Sequence, residues 1–190
     1  MSGYLLVGLG NPGPNYVDNR HNVGFRCVER LASAHKLTFD RRRKPARLAL
    51  GTLLERPVIV AKPRTFMNRS GYAVAALVRF YRVQLDRMLV VYDDLDLPLG
   101  ALRVRPSGGS GGHRGMASII EQLGSRDFAR LRIGIGRPPG RMDPADYVLQ
   151  DFSKAEEPLV EEVLDMAVAT IETWLAEGID TAMSLHNRSA

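Results

Sequence analysis

The fold of this chain is decided by the stretch Met88-Leu-Val-Val-Tyr92, five apolar residues that are followed at once by Asp93-Asp-Leu-Asp96. A short apolar run of this kind, bounded by polar residues, is typical of a buried strand. A second such run is Tyr4-Leu-Leu-Val-Gly-Leu9, which leads into a segment rich in glycine and proline. Both runs are therefore predicted to be strands in the middle of a sheet.

Segments with helical spacing alternate with further strands on either side of these runs. Further strands are predicted at residues 48–54, 58–62, 102–104 and 131–136. Helices are predicted at residues 22–35, 71–81, 116–123 and from about 153 to 177. This alternation predicts an α/β fold in which a mixed, largely parallel twisted sheet is flanked by helices. Because no low-complexity linker interrupts it, residues 1–190 are predicted to form a single domain.

Three local features add detail to this prediction. Ser70 is a candidate N-cap for the helix at 71–81, and Ser153 with Glu156 forms a capping box for the last helix. Residues 41–45, which carry four basic side chains and a proline, are predicted to be a basic loop. The apolar face of the last helix is predicted to consist of Leu159, Val163, Met166, Ala167, Ile171 and Trp174.

The net charge of +5 is unevenly distributed along the chain. Residues 1–150 hold 24 Lys and Arg against 12 Asp and Glu, whereas residues 151–190 hold 2 against 9. Of the 26 basic residues, 22 are arginine, whose planar fork matches phosphate oxygens and stacks on bases. This pattern favours a polyanionic partner, with nucleic acid first, although an arginine-rich but otherwise ordinary soluble protein is the alternative.

Composition also bears on the compartment. The apolar runs are much shorter than the ~20 residues that a membrane span requires, and residues 1–8 lack the pattern of a signal peptide. Cys27 is the single cysteine and lies at a core position of its predicted helix, so no disulfide within the chain is expected. These features predict a cytoplasmic protein without a membrane partner.

Polar side chains follow the two buried strands. Asn11 comes after the first of them, and Asp93 is the first acidic residue after the second. Because open α/β sheets place ligands at the carboxyl ends of their strands, both residues are candidates for a cleft. His21 lies in a polar segment near Asn11, and a histidine can accept a proton from water at neutral pH. Asn68, in the connection between a strand and a helix, offers either a helix cap or an amide for substrate.

Other kinds of site have weaker support. The pattern Gly8-Leu-Gly-Asn-Pro-Gly13 matches a dinucleotide fingerprint, but its prolines delay the helix that must meet a pyrophosphate. The three carboxylates of residues 93–96 suit Mg²⁺, or one of them could orient a histidine instead. The glycine-rich stretch 108–115 lacks the ending of a P-loop, no serine elbow is present, and no zinc spacing is found. We therefore predict neither a metal nor a cofactor.

Taken together, these segments resemble the bacterial-type peptidyl-tRNA hydrolase family, over essentially the whole chain. The resemblance rests on several motifs in one order at matching spacing, which is more specific than any one motif. They are Val7-Gly-Leu-Gly-Asn-Pro-Gly13, Tyr16 with Arg20-His-Asn-Val-Gly24, Lys62-Pro-Arg-Thr-Phe-Met-Asn-Arg-Ser-Gly71, Val91-Tyr-Asp-Asp-Leu-Asp-Leu-Pro98, Gly111-Gly-His-Arg-Gly115 and Arg130-Leu-Arg-Ile-Gly-Ile-Gly136.

The resemblance implies a monomer that hydrolyses the ester between a peptide and the 3′-terminal ribose of tRNA, and so recycles tRNA from aborted translation. It implies that His21 is the catalytic base, oriented by Asp93, with Asn11 as an active-site amide. The expected contacts to the substrate are Tyr16, Phe66, Met67, Asn68 and, for the tRNA phosphates, Arg103, Arg105, Arg130 and Arg132.

One position departs from the family pattern. Arg114 stands where the family commonly has asparagine, and an arginine can replace only the donor role of an amide. It is expected to contact the substrate, through a phosphate for example. The alternatives to an esterase are a non-catalytic RNA-binding module on the same fold and a Mg²⁺-dependent phosphoryl-transfer enzyme that uses the carboxylates of residues 93–96.

Overall fold

The computed structural model describes residues 3–43 and 45–187, which form a seven-stranded sheet in the order β2-β3-β4-β1-β5-β7-β6. The strands are β1 Tyr4–Gly8, β2 Arg41–Arg43, β3 Ala46–Leu53, β4 Arg56–Pro63, β5 Met88–Asp94, β6 Leu102–Arg105 and β7 Ala129–Gly134. The four central strands β4, β1, β5 and β7 pair in parallel, and antiparallel pairings add β3 and β2 at one edge and β6 at the other. The predicted mixed α/β sheet is confirmed.

Helices cover both faces of this sheet. They are α1 Val23–Ala34, α2 Ser70–Tyr81, α3 Arg114–Leu123, α4 Pro144–Tyr147, α5 Glu157–Glu177 and α6 Ile179–His186. One core lies between the sheet and α1, α5 and α6, and includes Cys27 as predicted. A second core lies between the opposite face and helices α2 and α3. None of the described helices is both long and apolar enough to cross a membrane.

Close backbone packing holds the start of α1 against the end of β1. A Cβ atom at Gly24 would lie 2.4 Å from the carbonyl oxygen of Val91, and one at Gly8 would lie 2.3 Å from that of Gly24. No larger residue fits at either position without moving backbone. The glycines at 8 and 24 therefore serve this contact, which brings the residues just before α1 to the carboxyl ends of β1 and β5.

The structure corrects three local predictions. Residues Arg41–Arg43, predicted to be part of a loop because of their charge, form edge strand β2. Strand β3 pairs with them in antiparallel orientation and supplies their hydrogen-bond partners. Lys44 lies outside the described residues. Ser70 is the first residue of α2 rather than its cap, and its hydroxyl donates to the carbonyl of Met67. In the capping box, the Glu156 side chain accepts the backbone N–H of Ser153 at 2.7 Å, but α5 has no side-chain cap.

The buried face of α5 is also shifted from its predicted position. Leu159 and Met166 are exposed, whereas Val160, Leu164 and Val168 are buried in addition to the predicted core residues. The helix is apolar over more than half its circumference, so spacing alone leaves the choice of face open. Contacts with α1 and the sheet make that choice.

Candidate active site

A cleft of about 790 Å³ opens at the carboxyl ends of the parallel strands. Its walls come from the loops that follow β4, β1, β5, β6 and β7, as expected for an open α/β sheet. The cleft gathers polar residues that are far apart in sequence, among them Asn11, His21, Asn68, Asp93 and His113.

His21 and Asp93 are in direct contact within this cleft. His21 lies in the 3-10 turn Arg20–Asn22 that precedes α1, and its Nδ1 atom is 2.9 Å from both carboxylate oxygens of Asp93. A second imidazole joins them, because His113 Nε2 lies 2.9 Å from Asp93 Oδ1. The carboxylate is thus shared by two histidines that approach it from different loops.

The hydrogen bonds fix the proton positions on both rings. His113 is the N-cap of α3, where its Nδ1 accepts the backbone N–H of Met116 at 3.2 Å. Because a neutral imidazole carries one proton, His113 must carry it on Nε2 and donate it to Asp93. An ionised carboxylate only accepts, so His21 donates from Nδ1 and keeps an unprotonated Nε2. That nitrogen has no partner among the described residues and is available to a ligand.

Asp93 is buried, with 3% of its surface exposed. Burial by itself raises the pKa of a carboxyl group, because the charged form loses its water. The imidazoles of His21 and His113 outweigh this effect and hold the pKa of Asp93 well below its ordinary value. Asp93 therefore stays ionised at neutral pH and remains an acceptor for both rings.

Asn11 is held in one orientation at the floor of the cleft. Its Oδ1 accepts the backbone N–H of Met67 at 2.8 Å, while its own backbone N–H donates to Asn22 Oδ1 at 2.8 Å. The Asn22 amide also donates to the Asn11 carbonyl at 2.9 Å. Because the N–H of Met67 needs an acceptor, the Asn11 oxygen points inward and its NH₂ group is left as a fixed donor for a ligand.

The residues that follow β4 form a second wall. Phe66 is 56% exposed, Met67 is buried, and Asn68 is exposed and makes no hydrogen bond among the described residues. The Tyr16 ring lies edge-on to that of Phe66, with 6.4 Å between the centroids. Residues 66–68 line one side of the cleft, and Tyr16 lies behind them in contact with Phe66. Asn68 is less constrained than Asn11.

The four predicted phosphate-binding arginines share one face of strands β6 and β7. Arg103 lies opposite Arg132, and Arg105 lies opposite Arg130. Arg105 is exposed, Arg103 is half-buried, and Arg132 forms an ion pair with Asp94. Side chains of paired residues project to the same face, so the antiparallel register turns two short sequence motifs into one basic surface.

Arg130 differs from its three neighbours because it is buried, with 2% of its surface exposed. Its guanidinium donates to the carbonyls of Gly108 at 2.7 Å, Gly109 at 3.0 Å and Arg126 at 2.8 Å. It also lies 4.5 Å from the ring centroid of Phe128. The structure thus uses Arg130 to hold the glycine-rich loop, whereas the sequence prediction assigned it to tRNA phosphates.

Arg114 lies at the mouth of the cleft. It is exposed in the first turn of α3, directly after His113, and it lines the cleft without a hydrogen bond or ion pair among the described residues. An arginine in this place is able to meet an anion that enters the cleft.

The acidic stretch of residues 93–96 does not gather around one point. Asp94 faces Arg132, and Asp96 pairs with Arg137. Within residues 3–43 and 45–187, the one group of donor atoms close enough to hold a metal ion is His21, Asp93 and His113. The three carboxylates therefore do not form the Mg²⁺ site that a phosphoryl-transfer enzyme of this kind would need.

An ion pair lies beside the histidine turn. Arg20 donates two hydrogen bonds to Glu156, at 2.9 and 2.8 Å. These bonds lower the pKa of Glu156 from 4.5 to about 2, against the opposing effect of its partial burial. The carboxylate is thus stabilised in its charged form only when the chain is folded.

This shift predicts a loss of stability in acid. A carboxyl whose pKa is lower in the folded state stabilises the fold fully above 4.5, and that contribution is lost as the pH falls to about 2. We expect Glu156→Gln to lower the unfolding free energy by about 1–3 kcal/mol at pH 7. We also expect the unfolding free energy of this variant to fall less steeply than that of the wild type as the pH drops below 4.5. Urea unfolding at a series of pH values measures both, with Glu162→Gln, exposed on the same helix, as the control. Parallel pH curves for Glu156→Gln and wild type would contradict the assignment.

Comparison with known proteins agrees with this architecture. The family model described as peptidyl-tRNA hydrolase matches residues 5–190. A peptidyl-tRNA hydrolase from Chloroflexus aurantiacus is 50% identical over 185 residues, which cover 97% of this chain and 98% of the relative. One from Syntrophomonas wolfei is 48% identical over 183 residues, covering 96% and 99% of the two chains.

A solved structure of a family member has the same fold. The crystal structure of peptidyl-tRNA hydrolase from Acinetobacter baumannii superposes with a TM-score of 0.92 at 34% identity, covering 100% of this chain and 97% of that one. The match in sequence and the match in fold both extend over the elements that form the cleft. This chain belongs to the peptidyl-tRNA hydrolase family.

Proposed function

We propose that this chain hydrolyses the ester bond between a peptide and the 3′-terminal ribose of tRNA, with His21 as general base. The observation that carries the proposal is the bond of His21 Nδ1 to the buried carboxylate of Asp93, 2.9 Å away, which leaves Nε2 unprotonated in the cleft. Membership of the family supplies the substrate, and this geometry supplies a group able to activate water.

In the proposed reaction, His21 Nε2 removes a proton from a water molecule as its oxygen attacks the ester carbonyl. The ester C–O bond then breaks, and the imidazolium returns the proton to the departing ribose oxygen. Asp93 holds the ring and stabilises its transient positive charge. Such a base contributes roughly 10²–10⁴-fold to the rate. No covalent intermediate forms, because water attacks the carbonyl directly, and no separate strong acid is needed, because a ribose hydroxyl leaves far more readily than an amine.

The oxyanion needs a donor that is already in place. The NH₂ group of Asn11 meets this need, since Met67 fixes the amide and no described residue uses its hydrogens. Donors held in position before the reaction stabilise the developing charge without reorganising. Asn68 lacks such an anchor, which favours a role in substrate contact.

Asn11→Asp is expected to lower kcat by roughly 10²–10³-fold, because the variant keeps an acceptor for Met67 but replaces the donor with an anion. Asn68→Asp is the matched control and is expected to cause a clearly smaller loss. Steady-state cleavage of an N-acetylated aminoacyl-tRNA measures both. Equal losses, or a larger loss for Asn68→Asp, would refute the assignment of the oxyanion donor to Asn11.

Selectivity follows from the same polar groups. Peptidyl-tRNA carries a neutral amide where aminoacyl-tRNA carries an α-amine, which is charged when protonated. A buried site built from amide donors and acceptors leaves its polar groups mismatched by an ammonium ion, and such mismatches are costly. The enzyme is therefore expected to spare ordinary aminoacyl-tRNA.

The tRNA is proposed to lie along the face that carries Arg103, Arg105 and Arg132, with Arg114 at the cleft mouth. Their placement on two paired strands and one helix start suits a phosphate backbone. Arg130 is left out of this surface because it is buried and both of its terminal nitrogens already donate to backbone carbonyls. The acidic helix α5 packs on the opposite face of the sheet.

Further parts of the proposal concern how the enzyme works as a whole. All proposed groups lie on one chain and around one sheet, which supports action by residues 1–190 as a single domain and as a monomer. We propose that it acts in the cytoplasm and without a metal ion, since the imidazole can activate water directly.

The experiment is to incubate the protein with N-acetylated aminoacyl-tRNA and with unblocked aminoacyl-tRNA, each with and without EDTA. The proposal expects release of tRNA from the blocked ester only, unchanged by EDTA. Binding of tRNA without cleavage of either ester would replace it with the RNA-binding module. Loss of activity in EDTA would overturn the metal-independent mechanism.

A further inference from the structure

Arg20 is a buried cation directly before the proposed base. It is 6% exposed, and its guanidinium donates to both carboxylate oxygens of Glu156, at 2.9 and 2.8 Å. Its guanidinium carbon also lies 4.5 Å from the ring centroid of Tyr147 and 4.9 Å from that of Phe152. All three partners lie within residues 147–156, from the last residue of α4 to the residue before α5, so one side chain joins the histidine turn to that segment.

The cost of this arrangement argues against stability as its only purpose. The Arg20 side chain is 8% exposed and that of Glu156 is 26% exposed, so most of the desolvation cost falls on the guanidinium, and an apolar replacement of such a pair is often as stable. The Nε atom of Arg20 is in addition buried without a hydrogen-bond partner, which adds to the cost. A buried group of this kind fixes one arrangement of its neighbours at the expense of others.

The backbone of the same turn is tied to the same segment. The N–H of His21 donates to the carbonyl of Val148 at 2.9 Å, and that of Arg20 donates to Gln150 at 2.9 Å. The Asn19 side chain donates to Asp151 at 2.7 Å. Each of residues 19–21 is therefore hydrogen-bonded to the segment 148–151. Val148, which accepts the bond from His21, itself lines the cleft.

We infer that Arg20, through its bonds to Glu156 and its stacking on Tyr147 and Phe152, is a positioning residue for His21. It holds the Arg20–Asn22 turn so that Nδ1 meets Asp93 and Nε2 meets the attacking water. It also fixes the position of Val148, in the wall of the cleft, relative to His21. This role rests on the proposed function, because it matters only if His21 takes the proton.

The expected effect is on the chemical step and not on binding. A misplacement of about 1 Å at a reacting group can cost roughly 10²-fold in rate. Arg20→Met, which loses the positive charge and both hydrogen bonds to Glu156, is expected to lower kcat by roughly 10²-fold. Arg20→Lys keeps the charge but cannot bind Glu156 with a planar fork, so it should restore part of that loss. KM for the blocked ester should change by less than about twofold, because Arg20 does not line the cleft.

Arg26 provides a matched control. It also joins α1 to α5, with hydrogen bonds of 2.8 Å to Glu157 and 2.9 Å to Glu161, and its guanidinium lies 5.7 Å from the ring of Phe152. It is on α1 and does not adjoin His21. Arg26→Lys should therefore lower the unfolding free energy as Arg20→Lys does, with kcat unchanged.

The test measures kcat, KM and urea unfolding for wild type, Arg20→Lys, Arg20→Met, Glu156→Gln and Arg26→Lys, with N-acetylated aminoacyl-tRNA as substrate. Lower kcat at constant KM in folded Arg20 and Glu156 variants, with Arg26→Lys normal, supports the inference. Normal kcat in folded Arg20→Lys and Glu156→Gln overturns it, as does an equal loss in Arg26→Lys. Failure of the wild type to cleave the ester overturns the proposed function itself, and with it the role of Arg20.

Discussion

Replacing His21 with alanine is expected to lower kcat for an N-acetylated aminoacyl-tRNA by about 10²–10⁴-fold, the usual contribution of a general base. The variant keeps Asn11 and the arginines of β6 and β7, so its affinity for tRNA should be close to that of the wild type. Its remaining activity comes from substrate positioning and the oxyanion donor. Single-turnover cleavage and filter binding measure the two quantities separately.

A second histidine gives the control for this variant. His35 pairs with Glu172 at 2.6 Å between α1 and α5, away from the cleft. His35→Ala also breaks an imidazole–carboxylate contact, yet it should leave the cleavage rate unchanged. A His21→Ala protein that cleaves at the wild-type rate would rule out His21 as the base.

Asp93→Asn is expected to cause the second large loss, about 10²–10⁴-fold in kcat. The carboxylate of Asp93 accepts from His21 and from His113, whereas an amide offers one acceptor oxygen and one donor group. Where the NH₂ group replaces Oδ2, it faces the Nδ1–H of His21, which lies 2.9 Å from that atom, so two donors oppose each other and His21 is driven to change its tautomer. If His21 changes, its proton moves to Nε2, and the base can no longer accept one from water.

Asp96→Asn controls for the loss of a negative charge near the cleft. Asp96 is exposed and faces Arg137, so the hypothesis expects little change in kcat from this substitution. Initial rates of tRNA release at neutral pH compare the two variants on the same substrate. Similar rates for Asp93→Asn and wild type would show that the ring needs no carboxylate partner.

Much of the fold was accessible from the sequence because the central strands are strongly apolar. Short apolar runs bounded by polar residues, such as residues 88–92, are typical of buried strands, and the helices between them have clear spacing. Strand β2 was missed because its arginines carry no apolar signal. Its strand conformation comes from pairing with β3, which local sequence does not encode.

The candidate site was predicted only in part for a related reason. His21, Asp93 and Asn11 each follow or adjoin a strand end, which is a feature that sequence reveals. The contact of His113 with Asp93 depends on how the glycine-rich loop returns to the cleft, and the sequence shows His113 only as part of the motif 111–115, with no role assigned to it. The burial of Arg130 likewise depends on which loop carbonyls lie above β7, and a sequence motif does not contain that information.

Arg20 shows the same limit most clearly. Its partners Glu156, Tyr147 and Phe152 are more than 120 residues away in sequence, and each looks ordinary in its own segment. The pairing becomes visible only when the segment before α5 is laid against the histidine turn. Long-range contacts of this kind are where the structure adds most to the functional interpretation.

The most direct test of this account asks whether His21 and Asp93 act as one unit. Single-turnover cleavage rates would be measured for wild type, His21→Ala, Asp93→Asn and the double variant. Because Asp93 is proposed to act on the reaction through the imidazole of His21, the double variant is predicted to be no slower than His21→Ala alone. Losses that multiply in the double variant would mean that the two residues contribute independently, and would contradict the mechanism.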